Sequence, residues 1–273
     1  MTPPSILYKY LPPSRVDVLL RKRIRFSPPE DLNDPFESRP VVRADSTSTE
    51  EGSVSESDDK DLADRKARWW NDRAHRVGTE IVRNRVNGLF GVLSLSADPV
   101  QPVMWAHYAD NFRGFLLGLD TGHEWFYGEE PGGEVTHGLY RVQYAIDRPT
   151  VFVGPDGVTY PDDLLDPTLL RKSKSWEFEQ EWRCIELRAR ALDAGECEGV
   201  SDLFPFPEDL VREVVLGPHI EPETRAIISD TLSEGAFPRA RLREIRMHTE
   251  TFSLGGSSVP QNHDSWCRAW GFL

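Results

Sequence analysis

The sequence predicts an α+β fold, a single domain with a mixed or antiparallel β-sheet core flanked by helices. Three observations carry that expectation. β-prone runs such as SILYKY (5–10) and VREVVLGP (211–218) recur along the chain. Helical-period segments are interspersed among them irregularly, without the steady βαβ rhythm of a doubly wound sheet. At 273 residues, 38% hydrophobic and 10% aromatic, the chain is long enough to bury one large core.

The elements follow in order. SILYKY alternates and is read as a first strand, stopped by Pro12 and Pro13. Ser14 is placed to cap a short helix over 14–22 with Val16, Leu19 and Leu20 inward. IRF (24–26) is a second strand. SPPEDLNDPFES (27–38) is a loop dense in turn formers, with Asn33-Asp34-Pro35 as an Asx-type turn. From Leu62 to Val86 the period becomes helical, with Trp70, Ala74, Val77 and Ile81 on one face and Gly88 ending the helix. Next come a strand at 89–96, a turn at Asp98-Pro99, a helix at 101–110, a turn at Asn111 and a strand at 114–120. Further strands are expected at 139–145 and 150–153, and a helix at 162–172 whose basic end suits its dipole. WEFEQEWRCIELR (176–188) ends as a strand. VREVVLGP is a buried strand, and Pro222 opens a helix over 222–234. A last strand falls at 241–248. The expected organisation is one domain over 1–249, with a disordered acidic loop at 44–62, and a C-terminal tail at 250–273 that packs on it through Trp266 and Trp270.

Charge narrows the function classes. The chain carries 32 Lys and Arg against 45 Asp and Glu, a formal charge of −13. Residues 44–64 hold eight acids and one base, so the rest of the chain is only mildly acidic and leaves room for a local basic cleft. A wholesale basic nucleic-acid binder is excluded. No apolar run approaches the roughly 18 residues of a membrane span. The three cysteines, Cys184, Cys197 and Cys267, are widely spaced and odd in number, which points to a reducing cytoplasm.

LYKY (7–10), FSPPEDLNDPFE (26–37), LSLS (93–96), MWAHYAD (104–110), GFLLGLD (114–120), WEFEQEWR (176–183) and VVLGP (214–218), in that order, resemble the bacterial domain-of-unknown-function family 2971. A second, weaker resemblance is to ADP-ribosyltransferase domains. These carry a basic residue on the first strand, a Ser-rich strand end before a helix and another strand, and a late Glu-x-Glu at a strand start. Lys9, Ser94-Leu95-Ser96 and Glu179-Gln180-Glu181 follow that order, with Lys in place of Arg and Leu in place of Thr.

The second resemblance implies NAD as substrate and a macromolecular acceptor, protein or RNA/DNA. It implies a bacterial toxin or phage-defence effector and leaves room for a neutralising partner protein; no apolar run reaches membrane length, so no membrane partner is expected. The resemblance assigns catalysis to Glu181, Glu179 and Ser94. Ser96 would help orient the carboxylate or the ribose, and Lys9 or Arg25 would hold the diphosphate. Tyr10 or Tyr108 would stack on nicotinamide. His107 joins the NAD-binding set, although His107 and Asp110 on one helix face read first as a structural pair, with no further metal-ligand motif. On a strand, Glu179 and Glu181 would face the same side. The plainer reading of Glu177, Glu179 and Glu181 is a solvent-facing strand edge. Two other functions compete: a non-catalytic immunity or regulatory module, and a metal-dependent nuclease or hydrolase built on Asp34, His107, Asp110 and Glu181.

Overall fold

The computed structural model describes residues 2–44, 59–127, 137–154, 157–159, 168–187 and 202–256. In chain order the elements are β1 (Ile6–Leu11), α1 (Asp17–Arg21), β2 (Arg23–Arg25), β3 (Val41–Ala44), α2 (Asp59–Leu89), β4 (Phe90–Ser96), α3 (Pro102–Tyr108) and β5 (Phe115–Asp120). Then follow β6 (His137–Arg141), β7 (Gln143–Ala145), β8 (Thr150–Gly154), β9 (Gly157–Thr159), β10 (Arg171–Ser173) and β11 (Glu181–Leu187). The last are β12 (Leu203–Pro205), β13 (Val211–Leu216), α4 (Pro222–Ser233), β14 (Arg241–Met247) and β15 (Leu254–Gly256). Eight strands form one mixed sheet in the order β15-β14-β13-β5-β1-β4-β11-β6. Within it β13 and β14 run parallel, and the other neighbours are antiparallel. The α+β expectation is met.

The central strands are apolar on both faces because both are covered. On one face Leu7, Leu95, Leu117, Trp182 and Val214 pack with Leu19 of α1, Ile24 of β2 and Ile228 of α4. On the other, Tyr8, Tyr10, Leu116 and Val215 meet Met104 and Trp105 of α3, and Val92 and Ile185 meet Val82 and Val86 of α2. Gly118 of β5 lies between Tyr8 and Glu213. A Cβ there would stand 2.7 Å from the Glu213 Cγ, and its absence lets the Tyr8 hydroxyl donate to Glu213 Oε1 at 2.7 Å across the strand.

Several expectations shift. In the first helix Val18 and Leu19 are buried while Leu20 is 56% exposed, because a 3-10 turn over Pro13–Arg15 precedes α1 and advances its phase. Among the described side chains of α2 the buried apolar ones are Val82 and Val86, and Val77 and Ile81 face outward; the side chains of Trp70 and Ala74 lie outside the described ones. That helix starts at Asp59, inside the acidic stretch, and runs to Leu89, one residue past Gly88. Residues 45–58, the bulk of the expected acidic loop, lie outside the described residues. The expected helix at 162–172 ends as a strand: Arg171–Ser173 pairs in parallel with Gln143–Ala145. The rest of that helix up to 167, and the tail from 257 with Trp266 and Trp270, lie outside the described residues.

Candidate functional site

The central sheet has a seam. β1 pairs with β5 over six residues, and β4 with β11 over seven, but β1 and β4 share only Tyr8↔Ser96. Beyond that pair the strands diverge, and Ser27 closes on Val92 through two backbone hydrogen bonds of 2.8 and 2.9 Å. Between these two contacts the edge of β4 lacks a backbone partner at Ser94. The Lys9 Nζ fills that position, donating to the Ser94 carbonyl at 3.0 Å. A cleft of about 200 Å³ opens here, lined among others by Lys9, Asn33, Ser94, Tyr108, Lys172, Glu179 and Glu181.

Behind the cleft lies a buried charge network. Glu181 opens β11, and Arg183, two residues on and therefore on the same face, grips it through Nε (2.8 Å) and Nη2 (3.0 Å). Arg183 also donates to Glu37 and, at 2.5 Å, to the Leu169 carbonyl. Lys172 stands 2.5 Å from Glu179, 3.1 Å from Glu181 and 3.5 Å from Glu37. The Tyr108 hydroxyl donates to Glu179 at 2.6 Å and accepts from the Asn33 amide.

These contacts set the ionisation states. Burial would raise the Glu181 carboxyl, but Arg183 first, then Lys172 and the Ser94 hydroxyl, hold it down at about 2. The Glu37 carboxyl is raised, because burial outweighs Arg183 and Lys172 and the Glu181 charge adds to it. Burial also draws the Lys9 ammonium down to about 8, against the pull of Glu181. For Lys172 burial loses: Glu181, Glu37 and Glu179 together raise its pKa. The Tyr108 phenol is pushed up by burial and then by the Glu179 charge.

The sequence-derived candidates divide. Lys9, Tyr10, Ser94, Ser96, Tyr108, Glu179 and Glu181 all line the one cleft. Glu179 and Glu181 are 3% and 4% exposed, which overturns the solvent-edge reading. They do not share one strand face. Glu179 ends a 3-10 turn over Lys174–Glu179, and Gln180 takes a left-handed conformation (φ 45°) that turns the chain into β11. Tyr10 is fixed edge-on against Trp105, with its hydroxyl on the Asp98 carbonyl, so it is a core residue rather than a stacking platform. The Ser96 hydroxyl is spent on the Glu179 carbonyl (2.7 Å) and the Asp98 turn, which makes it a positioning group.

Arg25 pairs with Asp31 at 2.6 Å and does not line the cleft, although Asp31 does. His107 is exposed and lines, with Pro12, Asp110 and Glu221, a neighbouring hollow that shares Tyr108 with the cleft. Asp110 stands 3.9 Å from Arg113 in place of the expected pairing with His107. Asp34 makes the expected turn, accepting from the Phe36 N–H at 2.9 Å. Of the four residues of the hydrolase reading, His107 and Asp110 line one hollow, while Asp34 and Glu181 each line a different cavity. Among the described residues no group of three or more His, Cys, Asp or Glu could hold a metal ion.

Lys172 and Glu37 escaped sequence reasoning, and Asn33 entered it only as part of a turn. Lys172 was hidden in the basic end of an expected helix. Its only signal was a lysine separated by Arg171 from the pair Leu169-Leu170, in a stretch too short to show a period. Glu37 sat in a loop full of turn formers, where an acid ordinarily faces water.

The site is thus a charged cleft at a break in a mixed sheet, with carboxylates and lysines facing one another. The family model of the Protein of unknown function (DUF2971) matches residues 104–184, a stretch from α3 into β11 that contains Tyr108, Lys172, Glu179 and Glu181. No curated protein and no solved structure matches the chain. No helix among the described residues is long and apolar enough to cross a membrane.

Proposed function

We propose that the cleft binds NAD and that the protein is an ADP-ribosyltransferase-like enzyme, acting as a toxin or phage-defence effector on a macromolecular acceptor. The observation that supports this most is the convergence of Lys9, Ser94 and Glu181, from three distant segments, at one break in the sheet. Breaking the nicotinamide–ribose bond sends the electron pair out with nicotinamide and leaves an oxocarbenium-like cation on the ribose. A carboxylate already ionised and held rigidly stabilises that cation without reorganising. Glu181 meets this requirement through Arg183 and Lys172. A ribose 2′-hydroxyl would reach Glu181 by taking the place of the Ser94 hydroxyl. The acceptor's nucleophile then bonds to the ribose carbon, and its proton passes to Glu179. Lys9 would meet the diphosphate, and the Tyr108 ring, fixed by Asn33 and Glu179, would stack on nicotinamide.

One observation favours a second reading. The roughly four lone-pair sites on the two Glu181 oxygens are met by Arg183 twice, Lys172 and Ser94, as in a purely structural network. On that reading the protein is a non-catalytic binding or immunity module. The test is nicotinamide release from NAD, with and without host lysate, by the wild type, Glu181→Gln and Tyr108→Phe. Release that falls at least a hundredfold in Glu181→Gln supports the enzyme. No release by folded wild type under either condition overturns it in favour of the binding module.

A further inference from the structure

A second cavity, of about 170 Å³, lies on the far side of Lys172 from the NAD cleft, between the 33–40 loop and the 145–149 turn. Lys172 lines both cavities. Enclosed cavities of roughly 150 Å³ take up a benzene ring; this one is somewhat larger and open at its rim, so a flat base can enter with part of its edge in solvent. Its rim is unusual for a surface. Phe36 and Ile146 are 58% and 87% exposed, and the Arg148 guanidinium lies 5.9 Å over the Phe36 ring. That guanidinium is fixed by two donations to the Arg39 carbonyl, one of them at 2.9 Å. Arg171 adds a further cation and Asp147 an acid, while the Lys172 charge is already met by Glu37, Glu179 and Glu181. Asp34, buried, also lines the cavity. Its Oδ1 holds the Phe36 N–H, and its Oδ2 has no hydrogen-bond partner.

We propose that this cavity binds a guanine base, presented by a single-stranded nucleic acid that serves as the acceptor. The exposed aromatic, backed by its arginine, offers a stacking surface for a planar ring. A buried carboxylate oxygen without a donor calls for N–H groups on the ligand. Guanine presents two adjacent donors, N1–H and the N2 amino group. Adenine and cytosine place an acceptor beside their single amino donor, where it would face the carboxylate. A protein arginine is also flat and rich in donors, but Arg148 and Arg171, against the one further acid Asp147, favour a ligand that carries phosphate. These cations gather on a chain whose formal charge is −13. As an assignment of the acceptor class, the inference rests on the NAD reading; as a binding site, it stands on its own geometry.

The test is fluorescence anisotropy without NAD, using the RNA hexamers UUGUUU, UUAUUU and UUCUUU, with GMP and an arginine-rich peptide as competitors. Wild type should prefer UUGUUU by about tenfold. Asp34→Asn, which keeps the Oδ1 of the turn, should abolish the preference. Phe36→Ala, at an exposed position, should weaken all three RNAs by about tenfold. GMP competing as well as the hexamer would keep the guanine site but assign it to a free nucleotide. Equal affinities, no binding, a preference that survives both substitutions, or displacement of the RNA by the peptide would overturn the proposal. Guanine binding without nicotinamide release sinks only the catalytic reading, and release without guanine binding sinks only this one.

Discussion

The Lys172 ammonium lies 2.5 Å from the Glu179 carboxylate, and both side chains are sealed from solvent. This pair ties β10 to the turn that launches β11. Glu181 and Glu37 meet the same ammonium, so Lys172 and Arg183 together balance three buried acids. Removing one partner of a buried ion pair leaves an uncompensated charge and costs about 3–5 kcal/mol. Lys172→Met should therefore lower stability by an amount of that order, measured by urea denaturation. A loss below about 1 kcal/mol would show that the network relaxes or takes in water.

Arg183 should not tolerate lysine. Lysine keeps the charge but not the planar fork that reaches Glu181 by two hydrogen bonds and Glu37 by a third contact. Arg183→Lys should destabilise by about 2 kcal/mol or more, and Arg183→Met by more still. A melting temperature for Arg183→Lys equal to wild type would contradict the geometry.

Glu181 sets an acid limit. Its folded-state carboxyl sits at about 2, below the ordinary value of 4.5. The stability it contributes is complete above about pH 4.5 and drains away as pH falls towards 2. The contribution is on the order of 3 kcal/mol. Denaturation of wild type and Glu181→Gln at pH 7, 4 and 3 should show the difference between them narrowing on acidification. A constant gap would exclude this carboxyl as its source.

Lys9 acts with the opposite sign at the alkaline end. Its ammonium is drawn down to about 8 in the folded protein, so between pH 8 and 10.5 the unfolded chain holds the extra proton. Lys9 therefore makes stability rise through that window and is a penalty below it. Lys9→Met should be more stable than wild type at pH 7, and the advantage should shrink by pH 10. Chemical denaturation at the two values decides it.

Gly118 should resist replacement. A Cβ at 2.7 Å from Glu213 and 3.2 Å from the Tyr8 ring would separate the buried hydroxyl and carboxylate that meet across β5. Gly118→Ala should cost about 1–3 kcal/mol, read as a fall in melting temperature.

The strands were legible where burial and alternation agree. ILYKYL, FGVLSLS and VREVVL each run as continuous β-prone segments, and each forms a strand of the central sheet. The convergence of Lys9, Ser94 and Glu181 could be expected only through a resemblance, because no spacing in the chain joins residues so far apart. Helix phase was harder. Leu20 and Val18 differ by two positions on a one-turn helix, and a preceding 3-10 turn decides which is buried. Lys172 and Glu37 were illegible for a physical reason. A buried charge looks like a surface charge in a sequence until its partners are known, and Arg183, Glu179 and Glu181 come from other elements.

The single pair Tyr8↔Ser96 has a mechanical meaning. It divides the central sheet into a five-strand panel, β15 to β1, and a three-strand panel, β4 to β6, joined like two boards by one stitch. Within each panel, bending must strain whole ladders of backbone hydrogen bonds. At the stitch it strains one pair and the Lys9–Ser94 contact. The cleft therefore sits at the most compliant line of an otherwise stiff scaffold, where a ligand can change the aperture without deforming either panel.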